Sequence, residues 1–203
     1  MPNLARPAAK QVRSLGLSES TTETITMLAS DLIAYQDDSY AHGYLAFLQL
    51  AREAERKSNP DDEHLTLAVA RSLHKLMAYK DEYEVARLLT EPDATASDVA
   101  GGQAVRTRWA KPMMKLLAKG KRLRGTKFDP FARAEVRNVE RRLIADYRST
   151  MATLVGRLTP DNIGAITLAA RLPMEVRGYE GLKLQRAAEC QAALAEALEH
   201  TEG

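Results

Sequence analysis

Wherever apolar residues recur regularly in this chain they do so every three or four positions, and no useful length alternates apolar with polar. That property constrains the fold most. A spacing near 3.6 builds one face of a helix, whereas a half-buried strand needs a period of two. Ile25, Leu28, Leu32 and Tyr35 make the first such face, and Tyr44, Phe47, Leu48 and Ala51 the second. Leu65, Val69, Leu73 and Leu76 make the third; Val136, Val139, Leu143, Tyr147, Leu154 and Leu158 make the longest. Aromatics are only 5% of the 203 residues, which also disfavours strands, since these prefer aromatic and branched side chains. The expectation is an all-α protein, an irregular bundle of about seven to eight helices with no significant sheet.

Stop and start signals divide the chain. Residues 1–20 mix Pro, Ser, Arg and Lys without periodicity and are expected to form a flexible tether. A helix from near Ser39 should end at Arg56-Lys57, and Ser58-Asn-Pro-Asp-Asp-Glu63 is a stop followed by a start: Pro suits a first helical turn and acids suit its dipole. The next helix is expected to run to Leu89. Residues 91–104 carry Pro92, Gly101, Gly102 and small polar side chains that offer little to bury, so they read as a linker. It separates a helical lobe, 21–90, from a basic lobe, 105–203, expected to pack on the first. Within the second lobe a short basic helix is expected around 112–119. Asp129 and Pro130 then suit the N-cap and first turn of a helix reaching Gly156. Thr159-Pro-Asp restarts the chain, with Leu158 and Ile163 at the spacing of a hydrophobic staple. Leu172-Pro-Met stops that helix, and an Ala-rich helix from about Tyr179 to Glu199 closes the protein.

Several function classes find no support. No apolar run approaches the ~20 residues that cross a bilayer, and the start lacks a secretory apolar core. A cytoplasmic protein without a membrane partner is therefore expected. Cys190, the only cysteine, excludes an intrachain disulfide and a cysteine-ligated iron–sulfur cluster; its Ala-rich surroundings suit a small buried hydrophobe. There is no glycine-rich phosphate loop, Gly-x-Ser-x-Gly elbow, His-Glu-x-x-His or Glu-x-x-His. His42, His64, His74 and His200 lie in separate segments, and the acids preceding His64 answer a helix dipole more simply than they ligate a metal. No catalytic, cofactor-binding or metal residue is assigned to the chain.

Two clusters are candidate interfaces. In Tyr79-Lys-Asp-Glu-Tyr83, Lys80 falls four residues after Leu76, on the face that should be buried, and Tyr83 continues that face. Either a helix bend lets the charges of Lys80, Asp81 and Glu82 reach water, or these residues and Tyr83 contact another subunit. The second cluster follows from charge. The net +2 combines −6 over residues 1–104 with +8 over 105–203, and 13 Lys/Arg fall between Val105 and Arg142. Arg133, Arg137, Arg141 and Arg148 repeat at four, four and seven residues, forming a stripe opposite the apolar one. A solvated face is the plain reading; contact with an acidic protein surface and binding to nucleic acid are the others. Few aromatics are interleaved to stack on bases, which argues against binding of single-stranded nucleic acid.

Several stretches carry a resemblance. They are Ala34-Tyr-Gln-Asp-Asp-Ser-Tyr-Ala41, Leu73-His-Lys-Leu-Met-Ala-Tyr-Lys-Asp-Glu-Tyr-Glu-Val-Ala-Arg-Leu88, Leu123-Arg-Gly-Thr-Lys-Phe-Asp-Pro-Phe131 and Glu140-Arg-Arg-Leu-Ile-Ala-Asp-Tyr147. Leu158-Thr-Pro-Asp-Asn162 and Leu172-Pro-Met-Glu-Val-Arg-Gly178 continue the series. In this order, over residues 31–90 and 119–188, they resemble the C-terminal helical region of indolepyruvate ferredoxin oxidoreductases. Members of that family oxidatively decarboxylate aryl-2-oxoacids to acyl-CoA, with ferredoxin as electron acceptor. The resemblance implies a non-catalytic helical subunit or domain with an assembly or interdomain role. Its partners would be catalytic subunits of a 2-oxoacid:ferredoxin oxidoreductase, and thiamine diphosphate and iron–sulfur clusters would belong to those chains. The alternatives are a free-standing helical adaptor and a basic nucleic-acid-binding helical module.

Overall fold

Side-chain acceptors just outside the helices decide where several of them start. In the computed structural model, which describes residues 6–78 and 135–175 with Glu189, Ala192 and Ala193, α1 (Arg6–Ser14) ends in a turn at Leu15 and Gly16. The Ser18 hydroxyl accepts from the Thr21 amide and opens α2 (Glu19–Tyr35). Asp37 accepts from the Tyr40 amide at 2.9 Å and opens α3 (Asp38–Ser58). Such caps satisfy amides that the first helical turn leaves without partners. After α4 (His64–Met77), the described chain resumes with α5 (Glu135–Gly156). Thr159 and Asn162 then exchange side-chain–backbone bonds in the manner of a capping box, one turn before α6 (Ile163–Arg171). A 3₁₀ turn, Leu172–Glu175, ends α6 where the Leu172-Pro-Met signal lies.

The protein is helical, as its periodicity predicts: six α-helices and this turn are present among the described residues, with no strand. The third expected face is fully realised, since Leu65, Val69 and Leu73 are inaccessible and Leu76 nearly so. Nine of the 14 residues of α4 are buried. A helix covered on most sides is a central one, and α4 packs against α2, α3, α5, α6 and the 3₁₀ turn. On α5, Leu143, Tyr147, Met151, Leu154 and Val155 face this core. Tyr44 and Tyr147, both wholly buried, donate to the carbonyls of Ala70 (3.1 Å) and Ala170 (2.9 Å). Each hydroxyl thus meets an acceptor rather than being left bare in an apolar interior.

The expected tether is corrected in part. Residues 6–14 are helical, and Ala8, Val12 and Leu15 are buried. These three stand at i, i+4 and i+7, one narrow stripe that packs on α2 and α3. Gly16 follows at φ +61° and turns the chain out of α1, a left-handed conformation that costs a residue with a Cβ.

By contacts the chain divides into Met1–Met77 with Arg133–Gly203, and Ala78–Ala132. The described helices all belong to the first unit, so α5 and α6 share one core with α1–α4. The expected linker at 91–104, the helix at 112–119, Asp129 and Pro130 lie outside the described residues, as do the extension of α4 to Leu89 and Cys190. Of the expected closing helix only Glu189, Ala192 and Ala193 are described, and they are helical. Among the described residues, no helix is long and apolar enough to cross a membrane.

Candidate functional site

Two groups of polar side chains stand out against this core. The first lies where α3 turns into α4. Arg52 and Glu55 fall four and seven residues after Leu48, on the buried face of α3, and are 4% and 0% exposed. The Glu55 carboxylate accepts from the amides of Leu65 (2.7 Å) and Thr66 (3.2 Å) and from the Thr66 hydroxyl. Burial pushes its pKa up, against the downward pull of those three bonds and with a further upward push from Asp62. Arg52 donates to the carbonyls of Leu15, Gly16, Pro60 and Asp62 and stands 3.6 Å from Glu55. Nearby, Glu63 accepts from both the amide and the hydroxyl of Ser18 at 2.6 Å. Every one of these groups answers a helix end or a loop carbonyl. The cluster fastens the α1–α2 turn, α3 and α4 together.

The second group differs. Gln36 and Asp37 form the corner between α2 and α3; Ser39, Tyr40 and Gly43 follow on α3, Met77 ends α4, and Arg148 reaches in from α5. Together they line a polar cavity of about 210 Å³. Tyr40 stacks on Tyr35 with ring centroids 6.0 Å apart and donates to the Met77 carbonyl at 3.1 Å, which ties the corner to the end of α4. Arg148 Nη2 donates to the Gly43 carbonyl at 3.0 Å and approaches Met77 Sδ at 3.8 Å. Its guanidinium carbon lies 5.7 Å from the centre of the Phe47 ring, within cation–π range. Nε is buried without a hydrogen-bond partner, and no carboxylate of the described residues lies within 4 Å of this cation. Burial pushes the Arg148 pKa below its usual value, partly offset by Tyr40.

Arg148 is therefore not on a solvated stripe opposite the core. It lies three residues before Met151 and seven before Val155, both buried, so it sits at the edge of the apolar face. Arg141 is half-exposed and Arg142 exposed. Arg137 lies in α5; its side chain, and Arg133, Lys80, Asp81, Glu82 and Tyr83 entirely, lie outside the described residues. The three described histidines are held separately: His42 by Gln11, His64 by Asp62, and His74 by Asp31 at 2.8 Å; His200 lies outside the described residues. No group of three or more His, Cys, Asp or Glu able to hold a metal occurs among the described residues.

Residues that spacing does not single out are Tyr40, Gly43 and Met77 at the cavity and Arg52 and Glu55 at the helix junction. For the latter two a signal exists, since both continue the register of Leu48 and a charge on an apolar face demands partners.

An all-α unit with a polar cavity at one helix corner defines the class of protein. The chain belongs to the Family of unknown function (DUF6537), whose model matches residues 21–103 and 97–196. No curated protein and no solved structure matches it.

Proposed function

We propose that this chain is a non-catalytic helical module of a 2-oxoacid:ferredoxin oxidoreductase, acting in assembly of chains that carry the chemistry. The observation that carries this reading is how the segments behind the resemblance meet one another. Tyr40, in the segment 34–41, donates to the carbonyl of Met77, in the segment 73–88. Lys75 of that segment donates to the carbonyls of Pro173 (2.9 Å) and Met174 (2.7 Å), in the segment 172–178. Tyr147, which ends the segment 140–147, donates to Ala170 beside it.

Three distinctive segments, distant in sequence, are thus joined through side-chain donors on backbone carbonyls, and a fourth is tied to Ala170, two residues before the last of them. Side chains used in this way fix the geometry of the fold. A module whose unusual residues build its own framework suits assembly better than turnover. Thiamine diphosphate and iron–sulfur clusters would be held by the partner chains. Affinity purification of the full chain from its native cell tests this. Recovery of a thiamine-diphosphate-dependent oxidoreductase, with none from a mock purification, is the expected result. Recovery of nucleic acid, or of no such enzyme, would overturn the reading.

A further inference from the structure

We propose that the cavity between the α2–α3 corner and Arg148 binds a small free carboxylic acid, its carboxylate seated against the Arg148 guanidinium. This inference does not depend on the assembly reading.

Among the described residues, no carboxylate stands within 4 Å of the Arg148 guanidinium. Arg148 is half-buried, yet its partners are a carbonyl, a thioether and the face of Phe47. None of these carries a full negative charge. A cation withdrawn from water without a counter-charge is costly, and the depressed pKa reflects that burial. One bond to Gly43 also uses little of a guanidinium with five N–H donors. A carboxylate would supply the counter-charge and accept two parallel bonds, the arrangement for which the guanidinium fork is suited.

The walls restrict the ligand. Gln36 and Ser39 stand in a lining that mixes polar and apolar surface. Its volume of about 210 Å³ lies below the roughly 300–1,000 Å³ of sites for drug-sized molecules, so an acid of a few heavy atoms fills it. Asp37 stands in the same wall. Its carboxylate opposes any anion in the cavity, and a dianion more strongly than a monoanion, which favours a monocarboxylate over phosphate.

Titration of the full-length protein with acetate and glycolate, against chloride and phosphate at equal ionic strength, tests the site. The ¹³C-methyl signal of Met77 and the Nε–H signal of Arg148 report on it by NMR. Saturable movement of both signals in acetate or glycolate, without it in chloride or phosphate, is the expected result. Arg148→Met should weaken that binding by about tenfold or more, the loss of one charge-assisted contact. No saturable movement in the wild-type protein overturns the proposal, whatever the variant does. So does an equal response to phosphate, or undiminished affinity in a folded R148M protein.

Discussion

Glu55, in the last turn of α3, caps the N-terminus of α4 by accepting the amide of Leu65 at 2.7 Å across a span of 10 residues. The cap is supplied by the preceding helix, so the α3–α4 turn and the start of the central helix form together. Glu55→Ala would leave two amides and the Thr66 hydroxyl without their acceptor and the buried Arg52 without its counter-charge. We expect a loss on the order of 3 kcal/mol, the scale of an unpaired buried polar group or broken ion pair. Chemical denaturation measures it; a loss below about 1 kcal/mol, the net value of one ordinary hydrogen bond, would mean that Glu55 is not the cap.

Acid should weaken the junction through Glu63. Burial pushes its pKa up, but the bonds from Ser18 and Thr21 and the charge of Arg52 outweigh this and hold it below the ordinary value. A carboxylate with a depressed folded pKa stabilises above its unfolded pKa and loses that contribution as pH falls through the folded one. The wild-type protein should therefore lose more stability than Glu63→Gln on acidification through the carboxylate range. Parallel curves of stability against pH for the two proteins would contradict this.

Two glycines should respond oppositely to alanine. Gly16 has φ +61°, and although a methyl group there would meet open space, that room does not relieve the backbone. Gly16→Ala should cost roughly 1–2 kcal/mol. Gly43 lies inside α3, and a Cβ there would meet Arg148 Nη2 at 3.9 Å, an ordinary contact. Gly43→Ala should stabilise by roughly 0.5–1 kcal/mol. Denaturation midpoints shifting in the same direction would show that one of the two backbones is misjudged.

Because Arg148 lines the cavity, the expected contact with an acidic protein surface rests on Arg137 and Arg141 of α5 and on Arg133, which lies outside the described residues. Reversing Arg137 and Arg141 to Glu should slow association with a catalytic partner, the salt-sensitive step that surface charge steers. Unchanged association at low salt would mark the stripe as merely solvated.

Much of the helical framework is legible because burial follows register. Ile25, Leu32 and Tyr35, and the face of α4 from Leu65 to Leu76, lie where a 3.6 period puts them. The stripe of α1 is obscured because Ala8 is small and Pro7, Lys10 and Arg13 surround it. Arg148 is ambiguous by spacing: seven residues separate it from Arg141, and three and seven from Met151 and Val155, so it borders both faces. Its contact with the Gly43 carbonyl spans 105 residues, and that of Lys75 with Pro173 spans 98. Backbone acceptors at such range are identical in every residue and leave no mark in the sequence.

The assembly reading meets its most direct test in sedimentation of the purified chain mixed with the 2-oxoacid:ferredoxin oxidoreductase of the same cell. At low salt the account predicts one faster-sedimenting species containing both, which dissociates as salt rises. Two species sedimenting independently at low salt, at concentrations well above micromolar, would contradict it.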